Sequence, residues 1–158
     1  MSADTHLKIT PQILIFDWHG TLADNSGDLF SGVLQTLDML KKNNFILALA
    51  TSMPRGRIDA LLEENHLENY FTRIQTGDMG YQKPDPQMLH AILLATDQMA
   101  SDALMIGDSV ADLVMATHAG VAAIAVLSGG DTQTTLQMAE PIAIIENVNE
   151  LLNLLQVD

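Results

Sequence analysis

The chain has no cysteine, which excludes a disulfide framework, thiolate zinc sites and thiol nucleophiles. Positive charge is nearly as scarce. Seven Lys and Arg stand against twenty Asp and Glu, a net charge of −13. That is too little cation for a surface that neutralises nucleic-acid phosphates. No apolar run approaches the ~18 residues of a membrane span, and residues 1–10 lack a signal-peptide core. Neither nucleic acid nor membrane is therefore expected as a partner. What the chain does contain is apolar: 47% of residues are hydrophobic and only 17% charged, unlike a disordered acidic tail. Its 158 residues are enough to bury roughly two-thirds of the unfolded surface in one core. The expectation is one soluble, cytoplasmic domain over residues 1–158, with residues 1–10 a flexible N-terminus.

Short apolar runs alternate with amphipathic stretches. Ile13-Leu14-Ile15-Phe16 reads as a strand buried on both faces. A polar stretch over residues 19–28 follows. Phe30, Val33, Leu34, Leu37 and Leu40 then recur at helical steps, toward an end at Lys41-Lys42. Residues 45–50 read as a second strand, and Pro54 opens a helix with Ile58, Leu61 and Leu62 on its apolar stripe. A weaker strand lies near Ile74, and Asp85-Pro86 is a cap and first-turn proline for the next helix. Residues 103–106 form another strand. The helix after it presents Val110, Leu113, Val114 and Thr117 on one face. Strands over residues 121–127 and 142–145 follow, and Asn147 with Glu150 starts a last helix through Leu155. This alternation predicts an α/β, three-layer Rossmann-like parallel sheet with helices on both faces.

Ligands of such sheets bind at the carboxyl ends of the strands. Asp17, Thr51 and Asp108 each follow directly on an apolar run, and Lys83 precedes a helix. Asp112 lies four residues beyond Asp108, one helical turn on, and can point to the same spot. Asp17, Asp108 and Asp112 gathered together repel one another unless a cation joins them, and hard oxygen ligands suit Mg2+. Lys83 and the Thr51 hydroxyl are natural binders of a phosphoryl oxygen. Singly, each has an ordinary explanation: a turn or cap for the Asp and Thr51-Ser52 residues, a solvated loop for Lys83. Their joint order along the chain carries the argument.

That order resembles the haloacid dehalogenase superfamily of phosphatases, in its phosphoglycolate-phosphatase and phosphoglucomutase-like branch. Ile15-Phe16-Asp17-Trp18-His19-Gly20-Thr21-Leu22 is similar to the first motif, and Leu49-Ala50-Thr51-Ser52 to the second. Lys83-Pro84-Asp85-Pro86 is similar to the third, and Ile106-Gly107-Asp108-Ser109 through Asp112 to the fourth. The resemblance implies Asp17 as a nucleophile that becomes an aspartyl-phosphate. It implies Mg2+ held by Asp17, the His19 carbonyl and Asp108, with Asp112 in direct or indirect support. Thr51 and Ser52 would bind phosphate, and Lys83 would neutralise it.

Two departures stand out. His19 occupies the place of the family's second aspartate, which protonates the leaving group and then activates water. Imidazole can do that work. The alternatives are a weak or silent relative that still binds a phosphorylated ligand, or a His19 that only packs. Second, residues 22–28 lead straight to the next helix, leaving no room for a helical cap. An open site suits a phosphorylated small molecule, a bulky phosphorylated substrate, or cover from a second copy in a homo-oligomer. A receiver-like regulatory domain is the third reading, disfavoured because its acidic pair would come early. His6, His66, His90 and His118 show no metal-ligand spacing, and Arg55, Arg57 and Arg73 form no basic face. Residues 77–80 read as a flexible turn able to line the pocket, and Gly129-Gly130 as a strand break.

Overall fold

A computed structural model describes residue 7 and residues 9–157. His6 and the rest of residues 1–6, Lys8 and Asp158 lie outside the described residues, so most of the expected flexible N-terminus does too. Leu7 and Ile9 are packed against the core, and the Leu7 N–H donates to Leu154 O at 3.4 Å.

Six strands form one sheet: β1 Ile13–Phe16, β2 Ile46–Thr51, β3 Arg73–Thr76, β4 Ala103–Gly107, β5 Ala122–Val126 and β6 Ala143–Ile145. All pairings are parallel, in the order β3-β2-β1-β4-β5-β6. The helices are α1 Val33–Lys42, α2 Arg55–Glu64, α3 Gln87–Thr96, α4 Val110–Ala119, α5 Gln133–Gln137 and α6 Leu151–Leu154. Alternation along each strand feeds two cores. Leu14, Phe16, Leu47 and Leu49 face α1, α2 and α6, where Val33, Leu37, Ile58, Leu61 and Leu151 are buried. Ile13, Ile15, Ala48 and Ala50 face Met88, Leu89, Leu113, Met115 and Leu136 from α3, α4 and α5. This is the three-layer architecture expected of continuous apolar strands buried on both faces.

Strand order puts the site in place. From β1 the chain builds outward through β2 and β3, then returns to the other side of β1 for β4. The reversal opens a crevice beyond the carboxyl ends of β1 and β4, and Asp17 and Asp108 are the residues that follow those ends.

Three expectations about elements need correction. α1 starts at Val33, not near Leu29, because Gly32 is left-handed (φ 82°). The preceding residues fold back instead: Ala23 bridges His19 and Leu29, and Phe30 N–H donates to Leu22 O at 3.0 Å. Residues 17–32 thus hold a small irregular flap and no helical cap. In α4 the buried residues are Asp112, Leu113, Met115, Ala116 and Ala119; Val110 and Val114 are half-buried and Thr117 is exposed. Helical spacing alone chose the wrong phase, because α4 is apolar nearly all round and the site draws Asp112 inward. Asn147 and Glu150 cap a short 3-10 turn, Val148–Glu150, before α6, which ends at Leu154. Among the described residues no helix is long and apolar enough to cross a membrane.

Candidate functional site

The Lys83 ammonium lies 2.7 Å from Asp17 Oδ1 and 2.6 Å from Asp112 Oδ1. It reaches them from the loop before α3, where Asp85 Oδ1 accepts the Gln87 N–H at 2.9 Å and fixes the helix start. All three side chains are largely removed from water, Asp112 completely. Asp17 Oδ1 also accepts the Trp18 N–H at 2.7 Å, and Oδ2 receives no hydrogen bond among the described residues.

Asp112 reaches inward because it sits in the first turn of α4, which begins at the end of β4. Ser109 caps that helix, accepting the Asp112 N–H at 3.3 Å. In return Asp112 Oδ2 accepts from Ser109 Oγ at 3.0 Å, Ser109 N–H at 3.3 Å and Asp108 N–H at 3.2 Å. Both Asp112 oxygens are therefore occupied, Oδ1 by the ammonium alone. Asp108 Oδ1 accepts from the buried Thr21 hydroxyl at 3.2 Å. One oxygen from each of Asp17, Asp108 and Asp112 lies within 4.8 Å of the others.

Crowding and burial set the charge state. Burial pushes the Asp17 carboxyl above its ordinary range; Lys83 opposes the rise and Asp108 adds to it. Burial likewise raises Asp112, to about 6, against the pull of Lys83 and with repulsion from Asp17. Asp108 is raised by burial and by Asp112. Burial opposes charge on Lys83, but the two carboxylates outweigh it and hold the ammonium protonated well above its usual range. Three acids around one buried cation leave a surplus of negative charge. The donor set is all oxygen, so it fits a hard divalent cation.

Two clefts meet at His19. The first, about 300 Å³, is lined by Asp17, His19, Thr51, Ser52, Lys83 and Ser109 among others. Thr51, the last residue of β2, is buried, and its hydroxyl accepts the Met53 N–H at 3.2 Å. The second, also about 300 Å³, extends from His19 and Asp108 past Asn25 and Phe30 to Gly130. The His19 side chain is half-buried, and Nδ1 is shut off from solvent with no hydrogen-bond partner among the described residues.

All the site residues read from the sequence thus lie at this one edge of the sheet. The other histidines among the described residues, His66, His90 and His118, are exposed and join no acidic cluster. Arg55 pairs with Asp59 at 2.9 Å, and Arg73 donates to Gln75 at 3.0 Å. Residues 77–80 include a 3-10 turn, Gly77–Met79, and are pinned: Asp78 accepts from Thr76 Oγ1 at 2.5 Å and from Arg55 N–H at 3.2 Å. They line a neighbouring depression with Ser52 and Gln82, not the Asp17 cleft.

Sequence reasoning missed the residues that close in on Asp108. A Cβ added to Gly20 or to Gly129 would collide with Asp108 Oδ2, and Gly20 is also left-handed (φ 78°). Ser128 Oγ ties the two loops together by donating to Gly20 O at 2.7 Å. Gly129 therefore does more than break a strand. A glycine just past the end of a strand beside the switch point was the available signal.

The chain is similar to known hydrolases and phosphatases. Residues 3–126 match the family described as haloacid dehalogenase-like hydrolases. "Probable phosphatase IndB" of Dickeya dadantii is 40% identical over 129 residues, 79% of this chain and 55% of that protein. "Phosphoglycolate phosphatase 1" of Pseudomonas aeruginosa is 35% identical over 126 residues, 79% of this chain and 46% of that protein. The chain thus spans about half the length of these curated relatives. Among solved structures, a hydrolase from Pseudomonas syringae superposes with a TM-score of 0.80 at 20% identity, covering 90% of this chain and 96% of that one.

Proposed function

Because the chain belongs to the haloacid dehalogenase-like hydrolases, we propose that it is a Mg2+-dependent phosphomonoesterase with Asp17 as its nucleophile. The observation that carries this reading is the asymmetry of the Asp17 carboxylate. One oxygen is held by Lys83 and Trp18, while the other is left without a donor at the end of β1. Asp17, Asp108 and the His19 carbonyl would hold the metal. Asp112, with both oxygens engaged, supports it by positioning Lys83. Bound there, Mg2+ supplies positive charge against the carboxylates and a phosphoryl oxygen.

Thr51, Ser52 and Lys83 bind the phosphoryl group over Asp17. The freed Asp17 oxygen bonds to phosphorus, the ester P–O bond breaks, and the departing alkoxide takes a proton from His19. Neutral His19 next accepts a proton from water, whose oxygen attacks the same phosphorus. Inorganic phosphate leaves, and the Asp17 carboxylate and His19 imidazolium are restored. Positioning and charge supply most of the catalysis. With only a short flap over the cleft, a bulky phosphorylated molecule can enter directly. A small one would gain cover from a second copy of the chain.

Release of phosphate from p-nitrophenyl phosphate tests the reading. It should require Mg2+, vanish in EDTA and fall at least about a thousandfold in Asp17→Asn. Release that persists in that variant would sink the assignment of the nucleophile. His19→Asp should turn over faster than the native chain. A native chain without turnover that gains it through His19→Asp would identify a silent relative, with His19 as the cause.

A further inference from the structure

Residues 51–55 lead from the end of β2, at the wall of the Asp17 cleft, into the first turn of α2. The N-cap of that helix is Pro54, which has no side-chain acceptor to offer the first N–H groups. The acceptor comes instead from the turn after β3. Both Asp78 carboxylate oxygens lie 3.2 Å from the Arg55 N–H, and the Thr76 hydroxyl donates to Oδ1 at 2.5 Å.

We infer, on the phosphomonoesterase reading above, that Asp78 is a positioning residue for phosphate binding. With Gly77 it clamps the loop over residues 51–53, so that Thr51 and Ser52 hold the phosphoryl group over Asp17.

Further contacts between the two turns support this. The Gly77 N–H donates to Met53 O at 3.3 Å. Gly77 packs on the loop so closely that an added Cβ would lie 2.4 Å from Ser52 O. Its φ is not left-handed, so the close approach, not the backbone conformation, is what requires glycine there. The Met53 N–H in turn donates to the Thr51 hydroxyl at 3.2 Å. The loop is thus held on either side of Ser52, which lines the Asp17 cleft. The Ser52 N–H and hydroxyl themselves have no hydrogen-bond partner among the described residues.

Asp78 acts at a distance, because it lines the adjoining depression and not the Asp17 cleft. The Thr76 hydroxyl and the Arg55 N–H hold its carboxyl below the usual range, so it stays charged at the positive end of α2. The Arg55 guanidinium pairs with Asp59 at 2.9 Å, which leaves Asp78 bonded to the Arg55 backbone. The same connection runs on to Lys83, whose ammonium meets Asp17. One segment between β3 and α3 therefore sets both the Ser52 loop and the cation relative to the nucleophile.

Calorimetric titration of inorganic phosphate at saturating Mg2+ tests the inference without needing turnover. Asp78→Ala should weaken phosphate binding at least about fivefold, while Mg2+ affinity without phosphate stays within about twofold. Asp78→Asn keeps an oxygen within reach of both donors and should bind phosphate within about twofold of the native chain. Gly77→Ala should weaken binding as Asp78→Ala does. Gly56→Ala, on α2 with open space around it, should not. An Asp78→Ala chain with a lower urea midpoint but native phosphate affinity would make Asp78 a helix cap alone and overturn the inference. So would a native chain that binds no phosphate. A native chain that binds phosphate, with variants in this pattern, yet releases none from p-nitrophenyl phosphate would instead overturn the phosphomonoesterase reading alone.

Discussion

Lys83 joins two acidic groups from different elements, Asp17 at the end of β1 and Asp112 in α4. Its ammonium is buried, so removing it strands two carboxylates in an environment that already penalises their charge. Breaking a buried pair costs more than forming it gains, because the survivors keep their desolvation penalty. Lys83→Met should therefore lower stability by about 3 kcal/mol at neutral pH without metal. Urea unfolding reads this, and a midpoint unchanged from the native chain would show that the ion pairs contribute little. Mg2+ should restore part of the loss, since it too supplies positive charge to the freed acids.

At the scale of elements, two loops converge on Asp108. The turn after β1 brings Gly20 and the turn after β5 brings Gly129, both against the same carboxylate oxygen. Gly130 differs, with open space where a side chain would go. Gly129→Ala would overlap Asp108 Cβ and Cγ as well as Oδ2, so it should displace the whole Asp108 side chain and weaken Mg2+ binding at least tenfold, or about 1.4 kcal/mol. Gly130→Ala should leave the affinity unchanged. Calorimetric Mg2+ titration of the two variants checks the contrast, and equal affinities would mean that the close approach does not hold Asp108. Most of these elements were legible in the sequence. β1 and β4 are continuous apolar runs, and few other conformations bury such runs on both faces. The rotation of α4 was not legible, because apolar residues surround that helix and periodicity selects no face. The start of α1 was hidden for another reason: Leu29 and Phe30 fit its helical stripe, yet they serve the flap through contacts with Ala23 and Leu22.

For the whole molecule, the acidic cluster links folding to protons. Asp17, Asp108 and Asp112 hold their protons more tightly folded than unfolded. As pH rises from about 4 to about 6, the unfolded chain releases protons that the folded one retains, so stability without metal falls. Asp112, raised from 3.8 to about 6, accounts for a loss on the order of 3 kcal/mol. Urea unfolding in EDTA at pH 5 and pH 7, both above the isoelectric point of about 4.4, should show the decline. Saturating Mg2+ should flatten it, because the ion binds the deprotonated folded form. Asp112→Asn should reduce the slope in EDTA; a slope equal to that of the native chain would place the linkage elsewhere.

The amino-acid order alone settled the alternation of strands and helices and the placing of Asp17, Thr51 and Asp108 just where apolar runs end. Those properties are local, set by side-chain burial within a few residues. Which strand ends lie side by side, and which way each helix turns its residues, depends on contacts between segments far apart in the chain. Only the folded sheet, with β1 flanked by β2 and β4, brings Lys83 between two acids and sets Gly129 against Asp108. Close packing across elements made those choices, and no spacing within a single element encodes them.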